Sequence, residues 1–284
     1  MEIQQFLVKG NLWLFPQGFS GSLSNRTIII LKVSYTMIQL TAEEKEKYRR
    51  QMMIPGFGEE AQTKLRNSTA LVSRVGGLGG PAAMYLAMAG IGRLVIAHGG
   101  ILTASNLNRQ MLMRGDSIGK PRAPQAKETL LRANPDCDVI ALDHDINDGN
   151  AEVIVAGVDI VLDCPPTFEE RFALNRACVK LRKPMIEAAM YSMEGTLTTI
   201  IPGETPCLAC LTPEAPKWWQ PLGFPVLGGV SASLGCLAAV EAVKVLTGFG
   251  TTLKGKLLTF DAGAMEFLKF TIRRRPDCAV CGGI

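Results

Sequence analysis

No stretch of 18 consecutive apolar residues occurs in this chain, an absence that excludes the simplest kind of membrane span. The longest candidate, Val230 to Phe249, is interrupted by Glu241 and Lys244 and reads as a buried helix. The N-terminus lacks a basic region followed by an apolar core and a small-residue cleavage site. No classical secretory signal is evident, and the cytoplasm is the expected location. An excess of one charge is also missing: a net charge of +4 over 284 residues does not point to a nucleic-acid partner. What is present, 47% hydrophobic and 20% charged residues, suffices for a sizeable core in one elaborated domain.

Residues 1–36 lack both a helical period and a clear strand alternation. They mix Trp13, Phe15 and the run Ile28 to Leu31 with glycine and serine. Thr41 and Glu44 then stand at capping-box spacing. The working fold is expected to start near Met37 and to run to residue 284, with 1–36 an extension or the product of a misplaced start codon.

From there β-rich runs at Ala70–Val72, Arg93–Ala97, Val139–Leu142, Asp159–Asp163 and Pro184–Glu187 alternate with helical patterns around Ala82–Ala89, Ala123–Ala133, Asn150–Val155 and Phe168–Leu181. Such alternation predicts an α/β fold, a Rossmann-like, doubly wound, mainly parallel sheet with ligands at the carboxyl ends of its strands. After residue 194 the pattern changes. Gly195–Ile201, Gly255–Phe260 and Glu266–Arg273 read as strands around a long helix, Val230–Leu246, which predicts an antiparallel C-terminal extension.

Two Cys-x-x-Cys pairs, Cys207/Cys210 and Cys278/Cys281, lie in that extension. Four thiolates in two such pairs suit tetrahedral zinc, which would clip the end of the chain onto a segment far upstream. Pro206 and Pro213 flank the first pair, Pro276 and two glycines the second. Both therefore read as tight knuckle turns rather than as the helix-opening motif of a thiol redox pair. Disulfides or free thiols are the alternative. Cys137, Cys164, Cys178 and Cys236 stand in apolar stretches and read as small core residues.

The first strand runs into Arg74-Val75-Gly76-Gly77-Leu78-Gly79-Gly80, a glycine-rich turn before a helix. Such a turn brings backbone N–H groups close to phosphate, although tight strand-to-helix packing alone also selects glycine.

Several ordered motifs together resemble the MoeB/ThiF/HesA family over roughly residues 40–283: Val75 to Gly79, Tyr85-Leu86-Ala87, Ala89 to Gly92, Ser105-Asn106-Leu107-Asn108-Arg109-Gln110, Asn134-Pro135 and both cysteine pairs. The resemblance implies a homodimer that uses ATP and magnesium to adenylate the C-terminal Gly-Gly carboxylate of a ubiquitin-like sulfur-carrier protein. It implies that Gly76, Gly77 and Gly79 form the phosphate turn. Arg109 would bind triphosphate beside Asn106 and Gln110, Arg50 would reach the phosphates of the partner chain's site, and Arg122 would stand at the family's phosphate-contacting lysine.

The chain departs from that pattern at four places. Arg74 replaces the first glycine of the phosphate turn, and a side chain there crowds the turn unless the backbone differs. His98 replaces the acidic residue that bonds the ribose, and Arg122 replaces the lysine. In Leu162-Asp163-Cys164-Pro165-Pro166-Thr167, Pro166 occupies the position of the acidic magnesium ligand, while Asp163 reads as a strand end.

Some relatives carry a nucleophilic cysteine between the first cysteine pair and the next helix, whereas Leu211 to Gly235 contains none. It has instead Lys217-Trp218-Trp219-Gln220-Pro221, whose aromatics cover the cleft, grip a partner's tail or pack the loop. Two functions follow: an adenylyltransferase with an altered ATP site, or a catalytically weakened member that serves as a dimeric binding or regulatory module. A plain NAD-dependent oxidoreductase accounts for neither the cysteine pairs nor the Asn-Leu-Asn-Arg-Gln string.

Overall fold

A computed structural model describes residues 3–8, 11–16, 37–219 and 223–284. Strands β1 (Ile3–Val8) and β2 (Asn11–Pro16) pair antiparallel in a two-stranded sheet of their own. The sequence reading found no strand pattern there. The rest of 1–36 lies outside the described residues, as do Gln220 and Pro221.

Helix α1 (Ala42–Lys47) opens on the expected capping box: the Thr41 side chain accepts from the Glu44 N–H, and the Glu44 carboxylate accepts from the Thr41 N–H. Glu44 also pairs with Arg66, at 2.6 Å, in α3 (Gly58–Arg66), so the cap joins this corner to the body. Between them lies α2 (Arg49–Met52). Asn134, from the Asn-Pro motif, donates to Tyr48 Oη at 3.0 Å and to the Ala87 carbonyl, which fastens α2 to the domain.

The main sheet has eight strands. Strands β3 (Thr69–Ser73), β4 (Arg93–Ala97), β5 (Asp138–Leu142), β6 (Ile160–Asp163) and β7 (Met185–Tyr191) are parallel in the order β7-β6-β3-β4-β5. Strands β8 (Glu194–Ile200), β9 (Lys256–Asp261) and β10 (Glu266–Thr271) continue it antiparallel beyond β7. The expected doubly wound sheet with its antiparallel extension is therefore present. β7 runs four residues past Glu187, because Ala188 to Tyr191 pair with β8.

The middles of the central strands are apolar on both sides because both faces of the sheet are covered. Ala70, Val72, Leu94, Ile96, Ile160 and Leu162 pack on one face against α4 (Gly79–Ala89), α5 (Arg122–Ala133) and α9 (Gly228–Thr247). Leu71, Val95 and Val161 point the other way, toward α6 (Ala151–Ala156) and α7 (Phe168–Leu181). Truncating one fully buried leucine such as Leu94 to alanine costs roughly 3 kcal/mol. Among the described residues α9 is the one helix long and apolar enough to cross a membrane. It is a core helix here: Glu241 is buried, accepts from Thr199 Oγ1 at 2.6 Å and the Leu253 N–H at 2.8 Å, and pairs with Lys244.

The chain leaves β3 toward β4 and β5, then returns to β6 on the other side of β3. That reversal puts a topological switch point at the carboxyl ends of β3 and β6, where open α/β sheets hold their ligands.

Candidate nucleotide and metal sites

A pocket of about 780 Å³ opens at that switch point. Its polar end is built by the turn after β3, the loop after β4, the segment 103–110, and the first residue of α5.

Arg74 opens the turn in the left-handed region, with φ of +61°, the conformation a glycine would adopt at little cost. The backbone keeps the left-handed strain expected of a side chain here, and ion pairs hold the side chain in place. Nε donates to Glu170 Oε2 at 2.7 Å, and Nη2 lies 2.7 Å from Asp145 Oδ2. Gly76 and Gly77 line the pocket. A Cβ on Gly77 would stand 2.8 Å from Ser231 Oγ and 3.1 Å from Arg109 Cγ, so glycine is needed for the approach of Arg109. Gly79 does not reach the pocket. As the first residue of α4 it packs on the Arg74 carbonyl, with which any Cβ would collide, so its glycine serves packing.

Arg109 is half-buried and donates to the Ser105 carbonyl at 2.8 Å and Asn108 Oδ1 at 2.9 Å; burial draws its guanidinium below the ordinary value. Among the described residues no carboxylate pairs with it, so its charge faces the pocket. Asn106 caps the short 3₁₀ turn Ala104–Asn106, accepting from Thr103 N–H and Oγ1, and its Oδ1 is thereby committed to the loop. Gln110 is buried against Gly76, with Oε1 unpartnered. Arg122 donates to the carbonyls of Gly99, at 2.8 Å, and Gly100, at 3.3 Å. Burial, and then the charge of Arg74, lower its guanidinium from the usual value.

His98, at the end of β4, is 3% exposed and its Nδ1 has no partner. Burial, with Arg122 and Arg74 beside it, pushes its pKa down to about 2, so the ring is neutral.

At the end of β6 the pocket wall is Cys164, Pro165 and Pro166. Asp163 behind them is fully buried, with Oδ2 accepting from Arg171 Nε at 3.2 Å, and Arg171 also pairs with Glu187. Burial raises the Asp163 carboxyl above its normal value. Pro166 has no donor atom, and Glu170 and Asp145 are held by Arg74. Asp163 Oδ1 is unpartnered but fully buried, and the other carboxylates that line the pocket, Glu194, Asp261 and Glu266, stand on β8, β9 and β10; among the described residues magnesium therefore finds no open carboxylate at the phosphate end, and the residues present do not fit it.

Arg50 is exposed on α2 and takes no part in its own chain's pocket. Close by in sequence, Met53 and Ile54 are exposed, and Tyr85 and Met88 are exposed on α4.

The far arm of the pocket runs past Tyr191, Trp218, Trp219 and Phe224. Trp219 stacks on Phe224 at 5.2 Å and meets Phe168 edge-on at 5.6 Å. The tryptophans thus both pack the loop and line the cleft.

Cys207, Cys210, Cys278 and Cys281 converge, all four sulfurs lying within 4.8 Å of one another. Cys207 and Cys278 sulfurs are 3.7 Å apart, and those of Cys210 and Cys281 are 3.4 Å apart. Tetrahedral zinc with bonds of about 2.3 Å separates its sulfurs by about 3.8 Å, whereas a disulfide needs about 2.05 Å, so the cluster fits a metal. Asn175 Nδ2 lies 3.7 Å from Cys207 Sγ, and the Arg275 N–H donates to Cys210 Sγ at 3.4 Å, as outer partners of a thiolate site do. The first knuckle is not merely a turn: α8 (Leu208–Leu211) starts directly after Cys207. Cys137, Cys164 and Cys178 are buried as expected, while Cys236 is only partly so.

Sequence reasoning missed Asp145 and Glu170 as the anchors of Arg74. Glu170 read as one of two acidic residues opening a helix, and nothing local marks a partner 96 residues away.

Residues 48–280 match the ThiF family. Protein HesA of Leptolyngbya boryana is 54% identical over 246 residues, covering 87% of this chain and 88% of that protein. The SAMP-activating enzyme E1 of Haloferax volcanii is 37% identical over 251 residues, covering 86% and 92% respectively. The crystal structure of E. coli MccB superposes with a TM-score of 0.75 at 23% identity, over 86% of this chain and 74% of that one, a likeness of fold.

Proposed function

This chain belongs to the ThiF family, together with HesA, and on that premise we propose that it adenylates the C-terminal Gly-Gly carboxylate of a ubiquitin-like sulfur-carrier protein with ATP. The observation that carries this reading is the cationic end of the switch-point pocket, where Arg109 and Arg122, neither of them in a salt bridge among the described residues, stand beside the Gly76–Gly77 turn. The relative named as a SAMP-activating enzyme supports a small-protein substrate.

In this reaction a carboxylate oxygen bonds to the α-phosphorus as the bond from that phosphorus to the bridging oxygen breaks, and pyrophosphate leaves with the electron pair. Arg109 and Arg122 supply fixed positive charge for the phosphates, in a pocket already partly shielded from water. The long aromatic arm past Trp218 accommodates an extended tail. Arg50 reaches the site of a second copy in a homodimer, a reading supported by its exposure beside Met53 and Ile54. Residues 37–284 act as one unit in the cytoplasm, and the cysteine cluster holds structural zinc.

One observation favours the weakened-module reading: Asp163 is sealed by Arg171, and Pro166 offers no metal ligand. ATP–pyrophosphate exchange with a small carrier ending in Gly-Gly, run beside a calorimetric ATP titration, separates the two. Carrier-dependent exchange supports adenylation. ATP binding without exchange supports the module, and no ATP binding at millimolar ligand would overturn the enzyme reading.

A further inference from the structure

The loop after β4 differs in kind from a site built to grip a ribose diol. His98 is 3% exposed, lines the pocket, and has Nδ1 unpartnered. Across Gly76 lies Gln110, whose Oε1 is also buried and unpartnered; a Cβ on Gly76 would stand 3.8 Å from His98 Cε1 and 3.6 Å from Gln110 Nε2. Both are neutral groups, each making single hydrogen bonds. Asp145, which bonds the next residue of this loop, has both oxygens engaged: Oδ1 accepts from the Gly99 N–H at 2.9 Å, and Oδ2 pairs with Arg74 at 2.7 Å. Asp143 is exposed and is not part of the pocket wall. The other carboxylates that line the pocket, Glu194, Asp261 and Glu266, stand on β8, β9 and β10, four or more strands from β4, so among the described residues no free ionised acceptor stands beside His98 for two adjacent hydroxyls, while Arg109 and Arg122 bring positive charge to this end of the pocket.

Resting on the nucleotide reading above, we infer that His98 sets the sugar specificity of this site: it holds the nucleotide through neutral hydrogen bonds, so that 2′-deoxy and 3′-deoxy nucleotides are accepted nearly as well as ATP. The binding strength lost at the sugar is made up at the phosphates by the arginines. A neutral hydrogen bond contributes far less than one to a charged group, so removing one hydroxyl costs little here. A carboxylate at residue 98 would have the opposite effect, because each hydroxyl would then donate to an ionised oxygen. The Arg74–Asp145 pair keeps the arrangement in place by withholding the one nearby carboxylate that could have substituted.

The test is equilibrium binding of ATP, 2′-deoxy-ATP and 3′-deoxy-ATP to the full chain, read as affinity ratios. The wild type is expected to hold all three within about fivefold of one another. His98→Asp should create a preference for ATP of more than about tenfold over either deoxy form, whereas His98→Asn, still neutral, should leave the ratios unchanged. Thermal melts of both variants verify that they fold, and the neutral variant gives the answer should the acidic one not fold. A wild-type protein that rejects the deoxy nucleotides by more than tenfold, or an Asn variant that alters the ratios as Asp does, would overturn this inference and leave the nucleotide reading standing. Failure of every nucleotide to bind would overturn both.

Discussion

Arg74 Nε lies 2.7 Å from Glu170 Oε2, and the arginine that makes this bond holds its own backbone at φ of +61°. The ion pair and the strained turn are one device. A residue that would otherwise resist the left-handed conformation is held in it by two carboxylates, Glu170 and Asp145, from the segments that follow β6 and β5.

Arg74→Gly should therefore not behave as a relaxation of the turn. Removing one partner of a buried pair costs roughly 3–5 kcal/mol, and relief of the left-handed backbone returns about 1–2 kcal/mol. A net loss of roughly 2 kcal/mol is expected in urea unfolding. Adding Glu170→Gln should recover part of it; a glycine variant as stable as the wild type would show the pair to be unimportant.

His98 gives stability a specific acid dependence. Its folded pKa is about 2, far below the unfolded value of about 6.5, so the unfolded chain takes up a proton that the folded chain refuses. The contribution is present above pH 6.5 and is lost as pH falls toward 2. Between pH 7 and pH 5 the wild type should lose about 2 kcal/mol more than His98→Gln, measured by denaturant titration at both values.

Removal of the metal should loosen one end of the molecule before the rest. One zinc per chain is expected by elemental analysis, and Cys210→Ser should abolish it. Residues 274–284 are tied down by the cysteines and by Arg274, which donates to the Gly203 and Ile284 carbonyls. Limited proteolysis of Cys210→Ser should therefore cut there first, with the parallel sheet still protected; uniform loss of protection would show that the metal supports the whole fold.

Arg109→Ala should lower carrier-dependent pyrophosphate exchange by about a hundredfold or more. The fold should persist, because the hydrogen bonds of Arg109 among the described residues stay within its own loop. Arg50→Ala should do likewise if Arg50 serves the opposite site of a two-fold dimer. Mixing the two inactive variants should then restore about a quarter of wild-type activity, from statistical pairing into dimers with one complete site. No recovery on mixing would place Arg50 outside the site.

The fold was legible because its signals are local and repeated. Apolar runs such as Ala70–Val72 and Asp159–Asp163 announce strands covered on both faces, and Thr41 with Glu44 announces a helix start. The extra length of β7 was not legible, since Ala188 to Tyr191 become strand only through pairing with β8. In the site, the glycine turn and the cysteine pairs stand out in the sequence itself, whereas Arg109 was marked only by the family resemblance. The reason for Gly79 could not be read, because packing on the Arg74 carbonyl and contact with a ligand select the same residue.

By itself the sequence determined the alternation that makes a doubly wound sheet, the four thiolates that can hold a metal, and the substitutions at residues 74, 98, 122 and 166. Only the tertiary structure decided what those substitutions do. Arg74 is neutralised by carboxylates from two other segments, His98 is stripped of charge by burial beside two arginines, and Asp163 is sealed behind Arg171. Charge and solvation at a site depend on neighbours distant in the chain, and chain folding alone brings those neighbours together.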